Sequence, residues 1–332
     1  VTAGAGAGFA VLVNANAKRG GRRVAVQIAR ALPGASVRLT KTLHEIDAWL
    51  RSLPPMRAIL AAGGDGTAIA LVNALRRVHP EGFPRIGALP LGTGNAWANV
   101  TGAPKLGVCL SLLEAPPEPL IVRRFGLVEC DGVLTHFAGC GWDAQILEDF
   151  RVQLAQSKGP GKLFTKSVYG YLSATLFRTA PKTILHGRPH VIIENLGDEV
   201  FTVTADRKIL KVAGVSRGAV LYDGPASVAA CSTTPELGYG FRCFPFAERL
   251  LGTMNVRVYD ESALGAIASI PKLWTGVHPL RGMHDWFATA VRMTFSRPMP
   301  LQIGGDAVGI RQSVAYRIYD KEIELVDWRA LR

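Results

Sequence analysis

"RAILAAGGDGTAIALVNAL", residues 57–75, is the stretch that decides the fold. An apolar run ends in three glycines wrapped round one acid, and apolar residues then resume at helical spacing from about Thr67 to Arg77. Strand, glycine turn and helix in that order form the unit of a parallel α/β sheet. Glycine lets backbone amides come close to a ligand and takes up conformations other residues avoid. The amides of Gly63, Gly64 and Gly66, the helix N-terminus and the Thr67 hydroxyl have the donors to hold a nucleotide's phosphates. An acid among bare amides would repel that anion unless a cation stands between, so Asp65 is expected to contact Mg²⁺, directly or through water. The competing reading is an ordinary strand-to-helix turn in which Asp65 caps the helix.

The flanking sequence repeats the alternation. "GFAVLVN" (8–14), a helical stretch at 22–32, "ASVRLT" (35–40), a helical stretch at 43–53, and "RIGALPLG" (85–92) make strands separated by helices of about ten residues. In such sheets ligands sit at the carboxyl ends of the strands, where "NANAKRGG", "GGDGT" and "LGTGNAW" all fall. The last of these, with Gly92, Thr93, Gly94 and Asn95, is a second donor-rich turn from another strand, so the two turns are expected to close on one ligand. Its plainer reading makes Asn95 a helix cap.

After the proline cluster "LEAPPEPL" (113–120) the texture changes to short β-like runs up to about Gln302, as in an antiparallel sandwich. The fold expected is therefore an α/β nucleotide-binding domain over 1–120 and a β-rich sandwich domain over 121–307. Two helical interruptions stand out at 161–180 and 262–274, the first carrying Lys162 and Lys166 beside an apolar face.

At 332 residues the chain suits two domains, and 48% apolar content is that of a globular protein. The net charge of +12 favours polyanionic partners: nucleic acid, anionic lipid or phosphorylated substrates. Nucleic acid is not expected, because no recognised binding module accompanies the charge. Five cysteines with no CxxC pair argue against a disulfide framework or a zinc site and for reduced cytoplasmic thiols. No signal peptide is visible, and no apolar run approaches the roughly 18 residues of a membrane span, so any membrane contact is expected to be peripheral.

Other matches fail on context. "GVSRG" (214–218) fits a nucleophile elbow, but the residues after Ser216 have strand rather than helix character. "HGRPH" (186–190) contains Gly and Pro, which break the helix face that a histidine ligand pair needs. The P-loop and protein-kinase signatures are both missing from the sequence.

Taken in order, "VNANAKRGG", Thr40, "GGDGTAIALVNAL", "LPLGTGNAWAN", "FAGCGWDA", "YGFRCFPFA" and "LQIGGDAVG" resemble the diacylglycerol kinase catalytic-domain superfamily, particularly the soluble bacterial lipid kinases, with sphingosine and ceramide kinases as cousins. The "GGDGT" motif is also shared with NAD kinases. The resemblance implies a nucleotide domain, an inserted β-sandwich domain, and a C-terminal tail, here 308–332, that returns to the first. It implies nucleotide contacts at Asn14, Asn16, Thr40, Gly63 to Thr67, and Thr93. Family members end the β-rich domain with Asp-Gly-Glu, whose glutamate is the usual proposed proton acceptor; here those positions read Gly304, Gly305 and Asp306. Leu251 stands where many relatives have an aspartate that helps hold a structural Mg²⁺, and Ala96 resembles the sphingosine-kinase branch.

The function this implies is transfer of the γ-phosphate of ATP to a lipid hydroxyl at a membrane surface. Asp306 would accept the hydroxyl proton and Asp65 is the second candidate for that role. The rivals are an NAD kinase-like phosphotransferase, a non-catalytic nucleotide or lipid binder, and a serine hydrolase acting through Ser216. Which lipid is used, and whether the chain pairs as a homodimer, stay open.

Overall fold

A computed structural model describes residues 6–15, 21–92, 94–141, 144–145, 187–238 and 240–332. The chain divides into two compact units: Val1–Leu127 with Glu236–Gly240 and Asp320–Arg332, and Val128–Pro235 with Phe241–Tyr319.

The first unit opens with β1 (Phe9–Asn14), α1 (Gly21–Ala31), β2 (Ser36–Thr40), α2 (Leu43–Ser52), β3 (Ala58–Gly63), α3 (Asp65–Val78), β4 (Ile86–Pro90), α4 (Ala96–Val100), α5 (Leu106–Glu114) and β5 (Val122–Phe125). β1 pairs in parallel with β2 on one side and β3 on the other, and β3 pairs in parallel with β4. Phe9 to Val13 and Ala58 to Gly63 are buried without interruption, as befits strands covered on both faces. Ala68, Leu71, Val72 and Leu75 put the apolar stripe of α3 against the sheet. The strand order 2-1-3-4 reverses direction between β1 and β3, and that switch point opens the crevice where such sheets bind ligands.

The second unit contains β6 (Val128–Cys130), β7 (Val133–Thr135), β8 (Phe137–Gly141), β9 (His190–Asn195), β10 (Val200–Val203), β11 (Ile209–Lys211), β12 (Val220–Pro225), β13 (Val228–Ser232), β14 (Met254–Tyr259), α6 (Ala263–Thr275), β15 (Met283–Ala288), β16 (Ala290–Ile303) and β17 (Asp306–Ile318). Among the described residues these strands join in one antiparallel sheet. The long strand β16 is the hinge of that sheet: Val291–Phe295 pair with β9, whereas Leu301–Ile303 pair with β8, across an irregularity between Thr294 and Met299. Val191 and Ile193 from one arm and Ala138, Cys140 and Cys231 from the other meet in a single buried core. The sandwich expected from the sequence is thus a continuous sheet that encloses its own core. Helix α6 begins where the Ser262 hydroxyl accepts the Gly265 N–H at 3.2 Å, and it ends at left-handed Gly276. The helical stretch expected at 161–180 lies outside the described residues.

Beyond β17 the chain returns to the first unit as β18 (Ile323–Val326), parallel to β4 and antiparallel to β5. Val326 and Trp328 are buried in that unit's core beside Leu89, Leu113 and Leu120. The boundaries differ from those expected at 120 and 308, for a pairing reason: β5 lies beyond the proline cluster but pairs with β18, and β17 runs to Ile318 as the partner of β16.

Candidate functional site

The carboxyl ends of β1 and β3 are tied together by side chains that the sequence placed there. Asn14, the last residue of β1, donates from Nδ2 to the Thr67 hydroxyl at 3.2 Å. Thr67 is only 6% exposed, and a Cβ at Gly63 would collide with its hydroxyl, so Gly63 is glycine because Thr67 lies against it. Thr67 therefore acts beneath the loop as a fastener.

The two glycine turns meet each other. The Leu91 and Gly92 amides donate to the Gly63 carbonyl at 3.0 and 3.1 Å. A Cβ on Gly92 would run into the Gly64 Cα, so the backbones approach more closely than any side chain allows. Asn95 stands at the start of α4 in the left-handed conformation, yet its side chain does not cap that helix. It bridges back instead, accepting the Gly92 N–H and donating to the Gly92 carbonyl, both at 2.9 Å. That contact closes the second turn.

Asp65 settles between its two readings in an unexpected way. Helix α3 starts at Asp65 itself, with Gly64 before it and no side-chain cap. The Asp65 Oδ1 accepts the Trp97 N–H at 3.1 Å, so this carboxylate caps α4, the helix of the other turn. Its Oδ2 lies 2.8 Å from where a Gly94 Cβ would stand. Trp97 is buried and its ring lies 5.2 Å from that of Phe125, which anchors α4. A third loop joins the pair: Gly238 packs against Gly94, and Glu236 Oε2 accepts from Asn99 Nδ2 at 3.0 Å. Glu236 and Gly238 lie some 140 positions along the chain from α4, and no spacing rule connects them, so the sequence reading missed them.

Gly66 is different from its neighbours. It is exposed, its φ is not positive, and a Cβ there meets nothing within 4 Å. Among the described residues nothing accounts for glycine at this position. It sits in the first turn of α3, where helix N–H groups have no intrahelical acceptor.

Thr40, at the end of β2, is buried, and its hydroxyl lies 2.9 Å from both the Thr42 carbonyl and Glu45 Oε2. Glu45 also accepts the Lys41 N–H at 3.3 Å, and the Thr40 hydrogen bond, followed by that of Lys41, holds its carboxyl below the usual range. With its hydrogen given to these acceptors, Thr40 has only lone pairs to offer, which suits a ligand hydroxyl and not a phosphate oxygen. Asn16 and Thr93 lie outside the described residues.

In the second unit, Gly304 and Gly305 both have left-handed backbones, φ 59° and 88°, and connect β16 to β17 as a two-residue hairpin turn with Ile303 opposite Asp306. Asp306 is exposed as the first residue of β17. Leu251 is 72% exposed in a turn, and no group of three potential metal ligands occurs among the described residues. Among the described residues no carboxylate cluster gathers at Leu251. The Asp65 site has a different donor set. One carboxylate oxygen remains beside open first-turn backbone, which fits the usual Mg²⁺ arrangement of one or two carboxylates completed by substrate phosphates and water. "GVSRG" runs into β12 with no helix, so Ser216 is not on an elbow.

Known proteins are similar to this chain in part of its sequence and in its fold. Residues 8–116 match the model of the diacylglycerol kinase catalytic domain. A protein of Chromohalobacter salexigens named "Probable lipid kinase YegS-like" is 32% identical over 118 residues, which span 35% of this chain and 36% of the relative, so about a third of that protein is matched. Among solved structures, a candidate diacylglycerol kinase of Bacillus anthracis str. Sterne superposes with a TM-score of 0.67 at 17% identity, over 98% of this chain and 97% of that one. An NAD kinase of Archaeoglobus fulgidus, solved with ATP, superposes with a TM-score of 0.50 at 12% identity, over 96% and 93% of the two chains. These last two likenesses establish the shared fold. The likeness in sequence is thus to the diacylglycerol kinase catalytic domain over residues 8–116, and the likeness in fold extends over nearly the whole chain.

Proposed function

We propose that the protein is an ATP-dependent lipid kinase that transfers the γ-phosphate to a lipid hydroxyl. The observation that carries this reading is the meeting of the two glycine turns at the carboxyl ends of β3 and β4, next to the β1/β3 switch point, with Gly66 left open on the side where a ligand would lie. Phosphoryl transfer asks little covalent work of a protein, and positioning with charge neutralisation carries most of it.

In this reading the turn amides and the N-terminus of α3 bind and orient the triphosphate. Asn14, Thr67 and Asn95 hold the turns in shape, and Thr40 receives a hydroxyl of the nucleotide. Mg²⁺ bound at Asp65 would supply charge neutralisation at the phosphates. Asp306 accepts the proton of the lipid hydroxyl, with Asp65 as the second candidate for that step. General-base assistance of this kind is typically worth about a hundred- to ten-thousand-fold in rate.

The test uses labelled ATP with total lipid extract, for wild type, Asp65→Asn and Asp306→Asn. The expected result is a labelled lipid with wild type, and losses of at least about a hundredfold with both variants. Full activity of Asp306→Asn beside an inactive Asp65→Asn moves the base to Asp65. A parallel arm with NAD tests the NAD kinase-like alternative, which the shared "GGDGT" loop and fold favour: label in NAD and none in lipid would replace the present reading. ATP binding without turnover on either acceptor would make the protein a non-catalytic binder.

A further inference from the structure

The C-terminal end of α6 presents an arrangement that phosphoryl transfer does not use. Trp274 is 36% exposed and Val277 43% exposed, on either side of the left-handed Gly276 that ends the helix. The Phe241 ring lies 5.3 Å from that of Trp274, and the Arg242 N–H donates to the Trp274 carbonyl at 3.1 Å, which brings the segment after residue 240 alongside. Arg242 beside Trp274, Lys272 in the last turn of α6, and Arg249 in the same segment as Arg242 are all exposed. The Arg249 guanidinium lies 5.9 Å from the Phe246 ring and donates to the Arg207 carbonyl at 2.8 Å. Among the described residues none of the three cations has a carboxylate partner. Glu248 is the one acid in 241–250 and 272–279.

The base of the patch is rigid. Arg257 and Asp285, buried and paired at 2.7 Å through two parallel hydrogen bonds, lie beneath it. Arg257 also donates to the Cys243 carbonyl and faces the rings of Phe244 and Phe246 at 5.8 and 6.0 Å. The segment carrying Phe241 and Arg242 is tied to this buried pair through the Cys243 carbonyl. Trp274 and its cations are thus displayed on a firm base.

We propose that this face docks on an anionic lipid bilayer, with the indole of Trp274 and the side chain of Val277 at the headgroup boundary and Arg242, Arg249 and Lys272 among lipid phosphates. The inference rests on the lipid-kinase reading, since it supplies the surface from which that substrate comes. An indole has an apolar body and one polar N–H, which suits the membrane interface. Arginine and lysine stems bury along apolar surface while their charges reach anionic headgroups. The net charge of +12 makes the attraction general, and the unpaired cations make it local. A single-stranded nucleic acid would need a basic groove lined by free aromatic faces, and here the Trp274 ring is already engaged by Phe241.

Sedimentation with phosphatidylcholine vesicles, with and without phosphatidylglycerol, tests the idea. Wild type is expected to bind the anionic vesicles. Each cation near such a leaflet strengthens partitioning about fivefold, so the double variant Arg242→Glu/Lys272→Glu, whose changes are confined to exposed side chains, should weaken it at least about 25-fold. Trp274→Ser should weaken it about tenfold. Turnover on a soluble short-chain diacylglycerol should stay at the wild-type level in both variants. Equal sedimentation with neutral and anionic vesicles, or wild-type binding by both variants, overturns the proposal and leaves the kinase reading standing. Patch-dependent vesicle binding with no lipid phosphorylated upholds the docking surface while the kinase reading falls. Displacement by a single-stranded oligonucleotide, with the same dependence on both variants, assigns the patch to nucleic acid and overturns the proposal.

Discussion

The glycines of the paired turns fall into two kinds, and the difference is measurable. Gly63 and Gly92 are glycines because the protein's own atoms occupy the place of a side chain, the Thr67 hydroxyl in one case and the Gly64 Cα in the other. Gly66 faces open space. Gly92→Ala should therefore destabilise the fold by about 1–3 kcal/mol, the usual cost of forcing a methyl group into a packed site. Gly66→Ala should leave stability unchanged or raise it by up to about 1 kcal/mol, since alanine is the better helix residue. If a phosphate lies against the Gly66 amide, however, the methyl group obstructs a charge-assisted hydrogen bond worth about 1.5–3 kcal/mol, so affinity for ATP should fall ten- to a hundredfold. Urea denaturation beside calorimetric titration of both variants separates the effects. Unchanged ATP affinity in Gly66→Ala would mean that the open side of the loop is not where the nucleotide lies.

At the level of elements, the β16–β17 hairpin shows why the altered acidic motif is compatible with the fold. A two-residue turn of this type needs positive φ at both central positions, and Gly-Gly supplies it; Asp-Gly is equally suited. Gly304→Asp, which supplies the acid that the resemblance implies at this position, should therefore change stability by no more than about 0.5 kcal/mol. If Asp306 accepts the proton, a second carboxylate beside it should alter turnover and its pH profile, and a rise in lipid kinase activity is expected in the labelled-ATP assay. A folded variant with an unchanged rate and pH profile would place the chemistry away from this hairpin. The same element marks the limit of what the sequence disclosed. Strands and helices of the first unit were legible because each carries its own period: β1 and β3 as unbroken apolar runs, α3 as a stripe at 68, 71, 72 and 75. The chemistry-bearing turns were legible because glycine and acid clusters have few other uses. Contacts between turns were not legible. The capping of α4 by Asp65, the return of the Asn95 side chain to Gly92 and the Glu236–Asn99 hydrogen bond depend on tertiary approach, which no local period encodes.

Across the whole molecule, the two units have separate cores, and cysteines report on each. Cys109 belongs to the first core, whereas Cys130, Cys140 and Cys231 lie together in the second, where the Cys140 sulfur is 3.7 Å from the Tyr316 hydroxyl. Burial pushes the Cys109 thiol up to about 12, and it pushes those of Cys130 and Cys231 well above the usual thiol range. Only a thiolate attacks a disulfide reagent, so these groups are protected by both enclosure and chemistry. Cys243 is half-buried outside both clusters. Under native conditions a thiol reagent should therefore label Cys243 and spare the other four. With rising guanidinium, Cys130, Cys140 and Cys231 should lose protection together at one midpoint, because they line a single core that opens cooperatively. Cys109 should follow the first unit's own midpoint, and saturating Mg-ATP should raise that midpoint by about 2.7 kcal/mol in free energy at a hundredfold excess over the dissociation constant. Peptide mapping of the labelled sites reads each cysteine separately. Staggered exposure of the three clustered thiols would contradict a single core in the β-rich unit, and a Cys109 midpoint indifferent to nucleotide would argue against ATP binding at the paired turns.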